Sequence, residues 1–483
     1  MRFGIDLGTT HTVAAMVDRG NYPIVAFEQG DVIPSLIAAH PSGELRFGAG
    51  AALAARAPGW ELLRSFKRLL NDAGPHTEVA LAGRTYLLVD LVTRFLEHLR
   101  DELRASNAGL RPDEPIEAAI SVPANASTAQ RLITLDAYRR AGFAVKAAIN
   151  EPSAAGFEYA HRFRETVTAR REYVLVYDLG GGTFDASLIH MEGRRNEVVT
   201  SAGVSRLGGD DFDEAILGLV QEKLGGARDR QALLDECRAQ KEATNANTRK
   251  LVVDEVVLPA EEVYARCAPL VEQTLAAMEP ALRDPRRAAG DAVDWSELAG
   301  IYVVGGASAF PPVYRQLRER FGTHRVRRSP HPFGSCAIGL AIYLDEAAGY
   351  RLTENLTRHF GVFREAEGGE RISFDVLVPK DSPLPLTVTR RYRAAHNLGH
   401  YRFVECGRIE AGRPEGNLLL WDEVLFPFDP ALRGRSDLAS VPVRRMDGPE
   451  VEEMYRVTET GALEVKLRVL DDGYSATLQL ARR

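Results

Sequence analysis

The sequence is poor in cysteine: its 483 residues include four cysteines, and none of them belongs to a CxxC pair. A zinc site needs closely spaced cysteines or a nearby histidine cluster, and a disulfide framework needs a higher density of cysteines, so this pattern suits neither. Isolated cysteines of this kind favour buried free thiols in a reducing compartment.

Apolar runs long enough to cross a membrane are also missing, because no stretch approaches about 18 consecutive apolar residues. The N-terminus has neither a long apolar segment nor a cleavage motif, so we expect no secretory signal. Positive charge is not in excess, since 60 Lys and Arg stand against 67 Asp and Glu, for a net charge of -7. The arginines are dispersed and are interpreted as solvated surface. We therefore predict a cytoplasmic protein whose partners include neither nucleic acid nor membrane.

The GxxxxGK[ST] motif of P-loop NTPases is absent too. The sequence has instead an internal repeat, FGIDLGTTHTVAAMV at residues 3–17 and LVYDLGGGTFDASLI at residues 175–189. In both copies an apolar run leads into Asp-Leu-Gly and small or hydroxyl residues, and a second apolar run follows. Apolar runs around a glycine-rich turn are typical of a β-hairpin. Two separated copies predict two lobes of similar design with a cleft between them.

The pattern of residues 1–345 differs from that of the rest of the chain. Apolar residues recur at helical spacing in four segments, 88–105, 127–141, 211–224 and 262–284. Strand patterns occur at residues 116–122 and 298–304, and the mixture predicts an α/β class. After about residue 345 the segments become short and alternating. This change predicts a linker at residues 346–356 and an all-β, sandwich-like domain at residues 357–483 without a helical lid.

The two repeated turns have the residue types that hold phosphate. Glycine lets successive N–H groups approach an anion as a nest, as in Gly8-Thr9-Thr10 and Gly180-Gly181-Gly182-Thr183. The hydroxyls of the three threonines can donate to phosphate oxygens. The nearby carboxylates of Asp6, Asp178 and Asp185 would repel phosphate. They therefore predict that Mg²⁺ and its waters lie between these carboxylates and the phosphate. Two more turns, Gly208-Gly209 and Gly305-Gly306-Ala307, suit a nucleoside or phosphate.

These motifs, in this order, resemble the DnaK-type chaperones, the seventy-kilodalton heat-shock family of the actin-like ATPase superfamily. The resemblance covers nearly all of residues 1–345. IDLGTTHT, which contains His11, resembles the first phosphate loop of the family, and YDLGGGTFDAS resembles the second. Three motifs are more specific to the family, namely Lys67-Arg68-Leu69, Ser121–Ala124 with Gln130-Arg131, and Ile149–Ala155. The resemblance implies a two-lobed actin-like ATPase fold followed by a smaller β-sandwich domain.

The resemblance also implies ATP binding and slow hydrolysis to ADP and phosphate, with Mg²⁺. By this likeness Lys67 would contact the γ-phosphate and position the attacking water. Glu151 would orient that water or the Mg²⁺ shell, Asp178 would act as general base or water holder, and Thr183 would touch the γ-phosphate. Lys241 would hold the ribose, with Asn245 near the base.

Three residues depart from the family pattern at the adenosine end of the site. Arg238 stands where the family usually has an acidic residue, Phe333 stands where an acidic residue is common, and Ala307 replaces a serine. We expect altered nucleotide affinity from these departures.

The resemblance reaches the second domain more faintly, in the order of its strands and turns. It implies a partner that is an unfolded or extended polypeptide or a specific protein client, held by backbone hydrogen bonds and apolar pockets. A J-domain-type co-chaperone and a nucleotide exchange factor are further implied partners. The acidic, leucine-rich linker of the family is not visible at residues 346–356. Arg131 matches a residue implicated in coupling between lobes and domains.

Two other hypotheses stay open. One is a nucleotide-gated scaffold or binding protein for a specific partner, with little turnover. The other is a kinase of the same superfamily, which is disfavoured because Lys67-Arg68-Leu69 and Ile149–Ala155 are not kinase motifs. Single-turnover ATP hydrolysis with and without unfolded peptides would separate these hypotheses from the ATP-driven chaperone.

Overall fold

A computed structural model describes residues 1–479 apart from residues 75, 107, 112, 125, 205, 225–227, 285–286, 288–290, 354–355, 357, 367–370, 381, 411, 416–417, 422 and 459–460. Two residues of the predicted linker, 354 and 355, therefore lie outside the described residues. The first residue of the predicted β-rich domain, 357, and its last four, 480–483, lie outside them as well.

The first lobe is built from residues 1–150. Its elements are β1 Arg2–Leu7, β2 His11–Met16, β3 Ile33–Pro34, β4 Leu36–Ala39, β5 Leu45–Phe47, α1 Gly48–Ala54, β6 Glu61–Arg64, α2 Phe66–Leu69, β7 Glu78–Leu81, β8 Arg84–Leu87, α3 Leu88–Ala105, β9 Glu117–Val122, α4 Thr128–Arg140 and β10 Ala144–Asn150. The main sheet has the order β10–β9–β1–β2–β3, with β1 antiparallel to β2 and parallel to β9. Its strands are apolar on both faces: Phe3 and Ile5 pack in the core with α3 and α4, and Val13 packs in the core with α5 and α10 residues.

The second lobe repeats this arrangement. Its elements are α5 Glu151–Arg162, β11 Tyr173–Leu179, β12 Phe184–Glu192, β13 Arg195–Val204, α6 Gly209–Lys223, α7 Arg230–Ala243, β14 Lys250–Val253, β15 Val256–Pro259, α8 Ala260–Met278, β16 Leu298–Val304, α9 Pro311–Phe321, β17 Val326–Arg328, α10 Ser335–Leu344 and β18 Arg351–Thr353. The sheet order is β17–β16–β11–β12–β13–β18, and β11 is antiparallel to β12 and parallel to β16. Both predicted hairpins, and the two related lobes that they imply, are confirmed.

The helix predictions are largely confirmed. Residues 88–105 coincide with α3, and α4 begins after Ser127, whose side chain accepts from the Gln130 N–H at 3.1 Å. The predicted helix at 262–284 extends too far, because α8 ends at Met278 and a 3₁₀ turn, Glu279–Leu282, follows. Pro280, which lacks the N–H that a continuing α-helix would use, lies at the start of this turn, although α8 accommodates another proline, Pro269, in its interior. Within the described residues no helix is both long and apolar enough to span a membrane.

The chain beyond the second lobe is rich in strands. Its elements are β19 His359–Ala366, β20 Arg371–Val378, β21 Leu386–Arg393, β22 Leu398–Tyr401, β23 Phe403–Cys406, β24 Arg408–Glu410, β25 Arg413–Glu415, β26 Leu419–Leu420, β27 Val424–Pro427, β28 Glu450–Val457, β29 Leu463–Val469 and β30 Ser475–Gln479. Two four-stranded sheets, β20–β19–β23–β26 and β21–β28–β29–β30, enclose one core. Burial alternates along β21 and β29, as expected for strands with one face in a core. We call this region the β-domain; its boundary at 357 stays a prediction, and Arg351–Thr353 of the predicted linker pairs with β13.

Candidate nucleotide site between the lobes

The turns of the two repeated hairpins face each other across the cleft. A Cβ atom on Gly181 would lie 2.5 Å from Thr10 Cγ2, and one on Gly182 would lie 2.9 Å from Thr9 Cγ2. Glycine is therefore required at these two positions, because any side chain would push the turns apart. The internal repeat thus places the predicted phosphate-binding N–H groups and hydroxyls around one space.

Most of the predicted site residues line this space. They are Asp6, Gly8, Thr9, Thr10, His11, Lys67, Glu151, Asp178, Gly180, Gly181, Thr183, Gly209, Lys241, Gly305, Gly306 and Ala307. They come from widely separated segments, which the pairing of β1 with β2 and of β11 with β12 and β16 brings together. The predicted catalytic residues Lys67, Glu151, Asp178 and Thr183 are all among them.

Four predicted residues do not line the cavity. Gly182 and Gly208 lie just behind it, where the Gly182 carbonyl accepts from Arg68 Nη2 at 2.9 Å. Asp185 is buried on β12 as the register partner of Asp178. Asn245 is exposed beyond the end of α7, and its Oδ1 accepts from the Asn247 N–H at 2.9 Å. The structure therefore does not bring Asn245 to the cavity, because α7 ends before it and the turn directs its side chain to the backbone.

A buried ion pair lies at the floor of the cavity. Lys67 on α2 donates through Nζ to Glu151 Oε1 at the start of α5, and both residues are buried. Burial alone would lower the pKa of Lys67, but the Glu151 and Asp6 carboxylates raise it overall. The lysine is thus held as a cation in a low-dielectric site, which is where a fixed charge acts most strongly on a bound phosphate.

Negative charge exceeds what Lys67 can compensate. Burial and the Glu151 carboxylate raise the pKa of Asp6 to about 6, against the effects of Lys67 and of a 2.6 Å hydrogen bond from Ser121 Oγ. Burial, and then Glu151, Asp185 and Asp6, raise the pKa of Asp178 well above its usual range. A site of this kind fits a hydrated divalent cation that would offset the repulsion. No group of three or more His, Cys, Asp or Glu side chains in the described part of the chain is placed to hold a metal directly.

The raised pKa of Asp6 predicts a stability effect of pH. The folded pKa of about 6 lies above the unfolded value of about 3.9, so the folded chain binds more protons between these two values. The contribution of Asp6 to the free energy of unfolding therefore decreases as pH rises from about 4 through about 6. We expect the Asp6→Asn variant to lose less of its melting temperature between pH 5 and pH 7 than the parent, measured by calorimetry without nucleotide or divalent cations.

Asp101→Asn, which changes an exposed carboxylate on α3, serves as the control. Equal losses of melting temperature in Asp6→Asn and the parent would show that folding does not raise the pKa of Asp6.

At the nucleoside end of the cavity, which is the predicted adenosine end with Arg238, Ala307 and Phe333, a carboxylate that was not predicted from the sequence pairs with two cations. Asp213 on α6 is fully buried, accepts a hydrogen bond from Arg238 Nε at 3.1 Å, and forms an ion pair with Lys241, whose Nζ lies 2.6 Å from Asp213 Oδ1. Lys241 also donates to the Gly209 carbonyl at 2.7 Å, and Arg238 donates to Asp210 Oδ1 at 2.9 Å. The unusual arginine is therefore neutralised by two carboxylates of the same glycine-rich motif. That motif, LGGDDFD, was the available signal for Asp213.

Phe333 covers the same end of the cavity. Its ring lies over Gly306, where a Cβ would be 2.3 Å from Phe333 Cε1, and stands edge-on to His11 with 5.2 Å between ring centroids. Burial, and then the charges of Arg238 and Lys241, lower the pKa of His11 to about 4. His11 is therefore neutral at pH 7, and an aromatic ring rather than a carboxylate stands at the cavity mouth.

Contacts across the cleft hold the lobes together, and no pattern in the sequence predicts which residues pair. Arg64 Nη2 lies 2.7 Å from Asp235 Oδ2 on α7, and Ser65 Oγ donates to Asp210 Oδ2 at 3.0 Å.

Cys336, interpreted from the sequence as a buried thiol, also lines the cavity, with its Sγ 3.5 Å from the Glu151 carbonyl oxygen.

A two-lobed α/β fold with repeated phosphate turns closing over a carboxylate-rich cavity defines a nucleotide-binding protein of the actin-like type. The family model described as Hsp70 protein matches residues 70–349. The chain is 32% identical over 510 residues to the chaperone protein HscA homolog of Ralstonia nicotianae, covering 98% of this chain and 77% of that protein. The HscA homolog of Pseudomonas fluorescens is 28% identical over 522 residues, with 99% and 77% covered.

A plant relative shows the same likeness. The heat shock 70 kDa protein BIP3 of Oryza sativa subsp. japonica is 28% identical over 510 residues, with 96% of this chain and 72% of that protein covered. The chain belongs to the Hsp70 family, as its motifs predicted. It is an ATP-hydrolysing protein with a nucleotide-dependent chaperone role.

Proposed function

We propose that ATP hydrolysis between the lobes controls the binding of unfolded or extended polypeptide by the β-domain. The observation that carries this proposal is the position of Arg131. This buried side chain donates through Nη2 to Asn150 Oδ1, and Asn150 directly precedes Glu151. On its other side, a Cβ on Gly461 of the β-domain would lie 3.2 Å from Arg131 Cδ. One side chain therefore touches both the segment that holds Glu151 and a turn of the β-domain.

The contact between the first lobe and the β-domain extends beyond Arg131. Ala129, two residues earlier on α4, is buried in the same core as Val457 and Leu463, which flank the turn that contains Gly461. Close-packed contacts of this kind transmit displacements because they do not compress. A shift of Asn150 when nucleotide is hydrolysed would thus move α4 against the β-domain.

For hydrolysis we propose the roles that the cavity supports. Lys67 would contact the γ-phosphate and Thr183, in the second glycine turn, would donate to it, since both line the cavity. Glu151 and Asp178 would hold the attacking water, and the raised pKa of Asp178 suits a group that accepts a proton. Mg²⁺ would be held through water by Asp6, Asp178 and Asp185, and when bound it would neutralise phosphate charge. Phosphoryl transfer to water needs little more than a positioned water molecule and the neutralisation of phosphate charge.

The test is single-turnover ATP hydrolysis by the full chain, with and without a permanently unfolded polypeptide. We expect the polypeptide to raise the rate several-fold, and Arg131→Ala to reduce the ratio of the two rates toward one. Arg140→Ala is the matched control, because Arg140 is an exposed arginine on the same helix. If polypeptide stimulated hydrolysis by Arg131→Ala as much as by the parent, Arg131 would not couple the lobes to the β-domain.

The same experiment addresses the two alternatives. Tight ATP binding with negligible turnover, with or without polypeptide, would favour a nucleotide-gated scaffold. Transfer of the γ-phosphate to a small molecule would favour a kinase. The client, a J-domain-type co-chaperone, a nucleotide exchange factor and the cytoplasmic location stay predictions.

A further inference from the structure

A second cavity, separate from the candidate nucleotide site, has four arginines among the twelve residues that line it. Its volume is about 680 Å³, and Arg2, Arg19, Arg164 and Arg194 contribute to its wall. These residues come from β1, the turn after β2, the turn after α5 and the turn between β12 and β13. None of the described residues that line it also lines the nucleotide cavity. The fold thus gathers arginines that are dispersed in the sequence.

Two of these arginines have no carboxylate partner among the residues that the structure describes. No Asp or Glu oxygen of the described chain lies within 4.0 Å of the Arg164 or Arg194 guanidinium, and Asp345, which also lines the cavity, accepts from the Tyr22 hydroxyl at 2.9 Å. Two exposed arginines elsewhere in the second lobe, by contrast, are paired with carboxylates. Arg228 lies 3.1 Å from Asp254, and Arg266 lies 2.6 Å from Glu222.

The positive charge continues past the turn that follows α5. Arg164 lines the first cavity, and the next residues, Glu165 and Thr166, line a neighbouring cavity of about 500 Å³. The wall of that neighbour is also rich in arginine: Arg170, Arg171, Arg325 and Arg327. The two neighbouring cavities are thus lined by eight arginines against two carboxylates, Asp345 and Glu165, in a chain with a net charge of -7. This excess of positive charge attracts an anionic partner to this side of the molecule.

We propose that the arginine-lined cavity binds an acidic segment of a partner polypeptide. The guanidinium group presents a planar fork of donors that matches a carboxylate, so unpaired arginines around a concave space suit Asp and Glu side chains. Tyr22, Tyr350 and Val17 add ring and apolar surface for the stems of those side chains. A volume of about 680 Å³ is the size of a ligand pocket, which a peptide enters and a flat membrane surface does not. This surface lies on the lobes and is distinct from the proposed polypeptide site of the β-domain.

The test uses a fluorescein-labelled peptide of alternating Glu and Gly, titrated with the full chain at low salt and saturating ADP while anisotropy is measured. We expect Arg164→Gln/Arg194→Gln to raise the Kd at least about tenfold, because two charge-assisted contacts are lost. The matched control is Arg228→Gln/Arg266→Gln, which removes two paired arginines of the same lobe and should leave the Kd within about twofold.

A peptide of alternating Gln and Gly should bind at least about tenfold more weakly than the Glu peptide, since it keeps the length but lacks the charge. Melting temperatures of both double variants near that of the parent show that the fold is intact. The proposal is overturned if the Glu peptide does not bind, or if Arg164→Gln/Arg194→Gln binds it like the parent. It is equally overturned if single-stranded DNA or phosphatidylserine vesicles, but not the peptide, bind through these two arginines.

Discussion

Replacing Lys67 with alanine is expected to lower the rate of ATP hydrolysis at least about 100-fold while ATP still binds. Removal of one preorganised donor from a transition-state site commonly costs about 10²–10³ in rate. Lys67 is buried, is held by Glu151, and shares its charge with Asp6, so no water molecule can replace its fixed positive charge. The glycine turns do not depend on it, and we therefore expect the loss in turnover rather than in affinity.

Single-turnover hydrolysis and equilibrium binding of ATP measure these two quantities separately for Lys67→Ala. Lys223→Ala is the control, because Lys223 is an exposed lysine paired with Glu262 at 2.6 Å. A melting temperature for Lys67→Ala close to that of the parent would show that the carboxylates left unpaired have not unfolded the site. Hydrolysis at the parental rate would remove Lys67 from the mechanism, whereas parallel losses of binding and turnover would assign it to ground-state affinity.

The sequence predicted the two hairpins and their glycine-rich turns well, because each is a local feature. Glycines next to hydroxyls after an apolar run specify a hairpin and a nest without knowledge of the rest of the fold. Lys67 and Glu151 are different, since they lie 84 residues apart and only their resemblance to a family placed them together. Nothing local to α2 shows that its lysine faces the start of α5.

The nucleoside end of the cavity shows why other features of the candidate site could not be predicted from the sequence. Arg238 was identified as a departure, but its pairing with Asp210 and Asp213 depends on how α6 packs against α7. Asn245 was assigned to the base by position in a motif, and one turn at the end of α7 takes it out of the cavity. Ion pairs between elements are set by tertiary packing, which periodicity and composition do not encode.

The β-domain contains a buried charge whose removal should strongly destabilise it. Glu453 on β28 has no exposed surface, and its carboxylate accepts from Arg364 at 2.6 Å and from the hydroxyls of Tyr392 and Tyr455, each at 2.7 Å. Glu453→Ala would leave a guanidinium and two hydroxyls without this partner inside the sandwich. We expect the free energy of unfolding of the β-domain to fall by about 3–5 kcal/mol, as is usual when one member of a buried pair is lost.

Urea unfolding followed by the fluorescence of Trp421 would measure this change, because Trp421 lies in the β-domain core. Trp60 and Trp295 would first be replaced by phenylalanine so that the lobes do not contribute to the signal. Glu452→Ala is the matched control, since Glu452 is the next residue on β28 and its partner Arg391 is 68% exposed. We expect that control to change the free energy of unfolding by no more than about 1 kcal/mol.

A double variant separates the cost of an orphaned charge from the value of the pair itself. Replacing both Arg364 and Glu453 with methionine removes the two charges together and keeps apolar volume, so we expect a smaller loss than in Glu453→Ala. Asp375, which lies 2.8 Å from Arg364 Nε, would still be left without that contact, so full recovery is not expected. If Glu453→Ala and Glu452→Ala proved equally mild, the network would be solvated in solution and the carboxylate would not be a structural element of the core.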